Sequence, residues 1–247
     1  MLKPFLTANW RYLAMLNFAV DPALLTPLVP AGTELDFYNG ETFLSLVGFL
    51  FLDTRVMSVP VPRHRDFEEV NLRFYVRRRT NEGWRRGVAF VREIVPRQAI
   101  AVVARVFYGE PYSALPMRHE VVHRDGIVRA SYEWRRGRIW ESLVVEGIGD
   151  SQPTIAGSYE EFITEHYWGY TARGGQSSEY RVAHPRWQIW ESQNYDFRAD
   201  VASLYGQMFV DCLTKAHSAF IAEGSDVQVF RKLDDPALVA ATVARRA

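Results

Sequence analysis

Glu69-Val70-Asn71-Leu72-Arg73-Phe74-Tyr75-Val76 alternates without a break between apolar and polar side chains. In a β-strand successive side chains leave opposite faces, so Val70, Leu72, Phe74 and Val76 share one face, and Glu69, Asn71, Arg73 and Tyr75 share the other. The first face is core. The second offers a carboxylate, an amide, a guanidinium and a phenol, where a plain solvent face mixes Lys, Glu, Thr and Ser. Two readings stay open for it. It lines a polar cavity in which Arg73 clamps an anionic ligand, or it is an outer sheet face on which Glu69 pairs with Arg73 or a neighbouring strand.

Working outward, strand–turn–strand punctuation dominates. Strands are predicted over 33–38 and 42–56, joined at Asn39-Gly40, the strongest short hairpin signal. Segments 70–78 and 87–94 flank Asn81-Glu82-Gly83, with Arg77, Arg78, Arg79, Arg85 and Arg86 forming a solvated basic hairpin tip. Segment 99–108 is an Ala/Val/Ile run read as a strand ending at Gly109-Glu110-Pro111. Arg105 sits in it among Ala101, Val103 and Phe107, so it is buried with a partner or faces a cavity, since an unpaired buried charge is costly. The turn that follows presents Tyr112 at a cavity mouth. Further strands are predicted over 120–124 and 127–135 around Asp125-Gly126, over 139–145 after Gly137, and over 218–222 and 227–232 around Glu223-Gly224-Ser225.

Helices are few. Asp21-Pro22 is an N-cap with proline at the first helical position, opening a short helix through Leu28. Ser158-Tyr159-Glu160-Glu161 fits a capping box, with Phe162, Ile163 and Tyr167 as its buried face and Gly169 as its stop. A third helix is predicted over 200–213. Arg173-Gly174-Gly175-Gln176-Ser177-Ser178 reads as the most mobile loop, too short to separate domains. Strands following strands, with helices set apart, predict a mostly β, β-rich α+β protein folded as a single domain over 1–247.

Composition narrows the function classes. The 247 residues are 48% hydrophobic and 14% aromatic, enough for a packed core, and the formal net charge is zero. That balance removes the argument for a nucleic-acid partner, which needs a basic face. The lone Cys212, beside Val210 and Leu213, excludes an intrachain disulfide and reads as an inert, buried thiol. Asn9, Arg11 and Asn17 interrupt the apolar residues of the first segment, so no export signal is expected. No stretch approaches the ~20 apolar residues of a membrane helix. A cytoplasmic protein with no membrane partner and no cofactor is the expectation.

His119-Glu120-Val121-Val122-His123 spells the zinc-protease pattern, which works only on a helix, where both histidines reach one metal. Two valines and the Asp-Gly turn that follows make this segment a strand, on which residues four apart are separated by about 13 Å. Arg129 occupies the place of a third histidine ligand. No metal site is expected.

Several segments together resemble the YqjF-like family of uncharacterised bacterial proteins, within the acetoacetate decarboxylase-like superfamily. They are Asp21-Pro22 with Leu28-Val29-Pro30-Ala31-Gly32, Glu69 to Val76, Gly109-Glu110-Pro111-Tyr112-Ser113-Ala114, Glu161-Phe162-Ile163-Thr164-Glu165-His166-Tyr167, and His184-Pro185 with Trp187. The resemblance implies an antiparallel barrel or cone with a central cavity and a few peripheral helices. It implies also that Glu69 matches a site glutamate of the decarboxylases. Those enzymes place two lysines after the proline, the first forming a Schiff base and the second lowering its pKa; here Tyr112 and Ser113 stand there. Neither forms an iminium, and the only lysines are Lys3, Lys215 and Lys232. The candidate ligand residues are Glu69, Asn71, Arg73, Tyr75, Arg105 and Tyr112, around a small polar or anionic molecule. The alternative is a non-covalent enzyme acting on a small oxo or carboxylic acid, with Glu69 as base, Tyr112 as acid or oxyanion donor and Arg105 as carboxylate anchor. Catalytic residues, substrate and oligomeric state stay open.

Overall fold

The computed structural model describes residues 3–60, 63–107, 110–173 and 176–231, with the side chains of 103–107, 173 and 176 also outside the description. Its strands are β1 (Leu6–Val20), β2 (Glu34–Leu35), β3 (Thr42–Val56), β4 (Val59–Pro60), β5 (Phe67–Thr80), β6 (Gly83–Val95), β7 (Tyr112–Ala114) and β8 (Met117–Arg124). They continue as β9 (Ile127–Arg136), β10 (Ile139–Ile148), β11 (Gln152–Pro153), β12 (Trp168–Arg173), β13 (Gln176–Ala183), β14 (Gln188–Arg198) and β15 (Ser218–Val229). The helices are α1 (Pro22–Leu25), α2 (Gln98–Phe107), α3 (Tyr159–Thr164) and α4 (Val201–Tyr205).

Seven strands close on themselves in the order β1-β3-β5-β6-β12-β13-β15, with β15 pairing back to β1. All these pairings are antiparallel except β6–β12, where the parallel contact spans only Trp168↔Gly87 and Gly169↔Val88. Beyond β15 the sheet runs through β14, β10 and β9 to the edge strand β8. This second part folds over the outside of the barrel. The Tyr132 hydroxyl on β9 donates to the carbonyl of Tyr12 on β1 at 2.7 Å. Gly48 on β3 leaves the space that Tyr132 fills, since a Cβ there would lie 2.6 Å from its ring.

Two cores result. Leu16, Leu44, Leu46, Leu72, Phe74, Tyr132, Trp134 and Leu143 fill the layer between barrel wall and outer sheet. Leu13, Met15, Val47, Phe49, Phe67, Tyr75 and Phe220 fill the barrel interior. A wall buried on both sides reads as a continuous apolar run, and β3 is buried over its first ten residues from Thr42 to Phe51. On β5 the apolar face, Val70, Leu72, Phe74 and Val76, joins the outer core, which turns Glu69, Asn71, Arg73 and Tyr75 inward.

Most predicted strands are present, and the exceptions have physical causes. Segment 99–108 is not a strand but lies largely in α2. A short apolar run cannot be assigned by periodicity, and here Ala99, Ala101 and Ala104 following Pro96 favour a helix over the β-branched valines. The 218–232 hairpin is one strand through Val229: Gly224 (φ +83°) is no turn but a place where β15 approaches β1, its missing Cβ falling 2.0 Å from the Trp10 carbonyl. Asn39 and Gly40 do turn with φ of 51° and 86°, bridging Tyr38 to Glu41. Upstream, however, β2 pairs with β5 rather than with β3. The helix over 200–213 breaks at Gly206 (φ 112°), leaving α4 and a 3-10 turn over Gln207–Phe209.

The Asp21 carboxylate caps α1 through the Ala23 amide, and the Ser158 hydroxyl caps α3 through the Glu161 amide. The Glu161 carboxylate accepts from Gly157 rather than from Ser158. Helix α3 ends at Thr164, so Tyr167 lies beyond it and Gly169 belongs to β12. The segment read as a mobile loop has strand on both sides, β12 to Arg173 and β13 from Gln176. The basic hairpin is not a solvated tip: Arg78 is buried on Glu179, and Arg85 and Arg86 bind Glu179 and Asp36. The HExxH segment is strand β8, where His119 bonds Glu68 and His123 packs on Tyr12 and Trp190. No helix among the described residues is long and apolar enough to cross a membrane.

Candidate functional site

The barrel encloses a cavity of about 220 Å³, the size of a small metabolite rather than of a drug-sized ligand. Phe49, Phe51, Phe67, Phe90, Trp10 and Trp187 make its walls largely apolar and aromatic. Two polar regions interrupt them.

The first is a cluster of carboxyl groups. Strand β5 contributes Glu69 and Asn71. Glu93 comes from β6 through a bulge: the register jumps from Leu72↔Arg92 to Arg73↔Phe90, passing over Val91. On a regular strand positions 90 and 93 would face opposite ways; the extra residue lets Phe90 and Glu93 both line the cavity. Strand β7 runs parallel to β6 and sets Tyr112 beside Glu93, while Ser113 turns away and accepts from the Arg92 guanidinium at 3.1 Å. The Tyr112 hydroxyl donates to Glu69 Oε2 at 2.8 Å, and the Asn71 amide donates to Oε1 at 3.0 Å. Glu110, just before Pro111, accepts from the Tyr180 hydroxyl of β13.

Glu69, Glu93 and Glu110 are buried, and burial disfavours the charged form. It lifts the Glu69 carboxyl to about 7 against the hydrogen bonds from Asn71 and Tyr112 and the Arg73 charge. Burial, partly offset by Tyr180, lifts Glu110 to about 8. Burial, with repulsion from Glu110 and Glu69, holds Glu93 well above the carboxylate range. The Tyr112 phenol is raised too, by burial and these carboxylates. Near pH 7 Glu110 and Glu93 favour the protonated form, while Glu69, close to half ionised, accepts from Asn71 and Tyr112.

The second region is basic. The Arg73 guanidinium lies 5.7 Å from the centroid of the Tyr75 ring and donates to the Ile163 carbonyl at 3.3 Å. Its buried Nε has no hydrogen-bond partner, and among the described residues no carboxylate pairs with it. His166 and His184 line the cavity with it. Burial pushes both imidazoles down to about 4, so both are neutral.

Of the six candidates from sequence, Glu69, Asn71, Arg73 and Tyr112 stand at the cavity. The Glu69–Arg73 pair considered for an outer face is not made. Tyr75 points inward but is committed to structure, its hydroxyl joined to Ser45 Oγ at 2.5 Å and through it to Asn17. Arg105 lies in α2 instead of on a strand, and its side chain is outside the described residues. Sequence reasoning missed Glu93, Glu110, His166 and His184. Glu93 was visible as a lone carboxylate within an apolar strand, a pattern that signals a buried acid; the others carry no local signal. Among the described residues no lysine lines the cavity, Lys3 and Lys215 being exposed, and no cluster of three His, Cys, Asp or Glu side chains can hold a metal.

A family model for DUF2071, described as an uncharacterized conserved protein, matches residues 7–226. The chain belongs to the DUF2071 family. One DUF2071-like relative is the uncharacterized protein YqjF of Bacillus subtilis (strain 168), 25% identical over 228 residues, which are 92% of this chain and 87% of that one. In fold, this DUF2071 member is similar to acetoacetate decarboxylase of Legionella pneumophila, with a TM-score of 0.64 and 14% identity over 95% of this chain and 89% of the other. It is similar also to an acetoacetate decarboxylase-like enzyme of Sphingomonas wittichii RW1, with a TM-score of 0.60 and 16% identity over 94% of each chain. A third similar structure is the enduracididine biosynthesis enzyme MppR complexed with pyruvate, with a TM-score of 0.65 and 12% identity over 94% of this chain and 91% of the other. At these identities the likeness is one of fold, and it makes this DUF2071 chain an acetoacetate decarboxylase-like barrel.

Proposed function

We propose that this DUF2071 protein binds a small organic acid in the barrel cavity and does so without amine chemistry. Arg73 carries the reading: a partly exposed guanidinium side chain at an apolar cavity, paired with no carboxylate among the described residues, invites the carboxylate of a ligand. The protonated carboxyls of Glu93 and Glu110 complement it, able to donate hydrogen bonds to a carbonyl or hydroxyl oxygen. The pyruvate complex of MppR supports the same class of ligand. Native mass spectrometry of the purified protein is expected to detect a bound acid, and Arg73→Gln to weaken its binding by about tenfold to a hundredfold, the worth of a charge-assisted hydrogen bond. A neutral or cationic ligand, unaffected by that substitution, would refute the reading.

The hydrogen bond between Glu69 and Tyr112 favours a second reading, acid–base catalysis on a small oxo acid. A carboxyl titrating at about 7 is suited to take a proton, and the phenol can return one or stabilise a developing oxyanion. Turnover of small oxo acids, lost in Glu69→Gln, distinguishes catalysis from binding alone.

Imine chemistry needs a neutral amine at the site. Borohydride reduction in the presence of acetoacetate or pyruvate is therefore expected to trap no adduct. A covalent adduct mapped by mass spectrometry to any lysine would show this to be wrong.

A further inference from the structure

Strand β8 ends the outer sheet. Among the described residues it pairs with β9 from Met117↔Trp134 to Arg124↔Ile127, and with no other strand. Proteins commonly block such an edge by shortness, a proline or a bulge. β8 has eight residues, no proline and no shift of register, and all of it but Met117 and Val121 is exposed. The Arg135 amide donates to the Pro116 carbonyl at 2.9 Å, which makes these two a hydrogen-bonded pair at the mouth of the β8–β9 ladder. Antiparallel bonding alternates, so Arg118, Glu120, Val122 and Arg124 turn their main-chain groups to β9. His119, Val121 and His123 turn theirs to the open edge. The Gly149 amide, bonded to the Gly126 carbonyl on the β10 side of β9, fixes the same alternation. Side chains divide likewise. His119 reaches Glu68, Val121 packs on the outer core and His123 on Tyr12 and Trp190, so Arg118, Glu120, Val122 and Arg124 face away from the barrel.

We propose that β8 pairs antiparallel with β8 of a second copy of this chain, about a twofold axis at Val122, joining two outer sheets into one. Charge complementarity selects the partner and the register. The residues that present free main-chain groups must oppose one another, so the axis passes through a residue. Centred on His119 or His123 it sets two imidazoles face to face, and on Glu120 two carboxylates. Centred on Val121 it opposes Arg118 to Arg124. Centred on Val122 it brings the two Val122 side chains together and opposes Glu120 to Arg124 twice, while Val121 and His123 exchange main-chain hydrogen bonds. The valine contact and both ion pairs then fall at non-hydrogen-bonded positions, where facing side chains approach most closely. Val122 is 39% exposed, and Arg124 leans on its neighbour Asp125 at 3.1 Å with both side chains 83% exposed, a pair worth little.

Sedimentation velocity of the full chain over a range of concentrations is expected to show a monomer–dimer equilibrium. Glu120→Arg alone and Arg124→Glu alone each set like charges opposite one another twice, and each should weaken the dimer by at least about tenfold. The double substitution Glu120→Arg, Arg124→Glu should restore it. Crosslinking reads the register independently. In a Cys212→Ser background, oxidation of Val122→Cys should link two chains, since facing non-hydrogen-bonded residues have the Cα separation a disulfide needs. Glu120→Cys, whose twin would lie four residues away along the strand, should not link. A monomer at every concentration would overturn the proposal. If the amides of His119, Val121 and His123 nevertheless resisted hydrogen exchange in that monomer, the edge would be covered by the chain itself. A dimer indifferent to both charge reversals, or one linked through position 120 and not 122, would equally overturn it, as would a different protein crosslinked at position 122.

Discussion

Raising the pH from about 6.5 to about 9 is expected to destabilise the protein progressively, a trend set by its buried acids. Glu69 titrates at about 7 and Glu110 at about 8 against an ordinary 4.5, and Glu93 lies well above that value. Between the ordinary and the raised values the folded chain holds protons that the unfolded chain has released. Folding therefore takes up protons, and each rise in pH opposes it by about 1.4 kcal/mol per unit for every proton so retained. The three groups face one another, so the first to ionise makes the others harder to ionise. Below about pH 6.5 the trend is blunted, because His166 and His184, pushed down to about 4, stay neutral in the fold while their unfolded counterparts gain protons. Those two groups stabilise the fold as the pH rises from 4 to 6.5 and are indifferent above it. Asp36 and Glu68, held below the ordinary range, lose their contribution only in acid. Urea midpoints at constant ionic strength should fall from pH 6.5 to 9, and the slope should be shallower in Glu93→Gln. A midpoint that is flat or rising over that interval would mean that the acids are ionised at little cost and that water reaches the cluster.

Glu179→Leu is expected to cost about 3–5 kcal/mol of stability, the range for breaking a buried ion pair from one side. Glu179 is fully buried on β13, and its two oxygens receive Arg78 of β5 at 2.8 Å and Arg85 of β6 at 2.6 Å. Arg78 is itself buried, so the substitution takes a carboxylate away from a poorly solvated guanidinium. The location magnifies the effect. The barrel closes between β6 and β12 with only two residue pairs in register, and the Glu179 carboxylate ties both arms of the β5–β6 hairpin to the strand beyond that seam. Arg85 also lies over the Trp168 ring at 4.4 Å, on β12. Chemical denaturation measures the loss directly. The double substitution Arg78→Met, Glu179→Leu should recover a large part of it, because replacing both members of a buried pair by apolar groups removes the buried guanidinium together with its carboxylate. A cost below about 1 kcal/mol for Glu179→Leu, the worth of an exposed pair, would count against the burial of this clamp.

That clamp also shows where reading residues in order runs out. Five arginines around a turn have the composition of a solvated tip, and nothing near them in the chain hints at Glu179. The turn itself was legible, because Thr80 to Gly83 closes the hairpin locally, as was the Asp125-Gly126 turn with its positive φ at both residues. Segment 99–108 failed for the opposite reason. Its apolar residues satisfy strand and helix alike, and the choice fell to alanine content and to docking of Ala101 against the inner core. Gly224 misled because a glycine serves a turn or a close approach equally well, and only the neighbour, Trp10, tells them apart.

Which side chains share a face follows from the order of residues alone. Strand side chains alternate with a period of two, so Glu69, Asn71, Arg73 and Tyr75 were bound to one side whatever the rest of the chain did. That this side is the inside is a matter of packing, because it depends on the outer sheet claiming Leu72 and Phe74. Packing also brings Glu93, Glu110 and His166 to the same cavity. Their meeting follows from a bulge in β6, the parallel approach of β7 and the end of α3, all matters of register between distant segments, which local spacing does not encode.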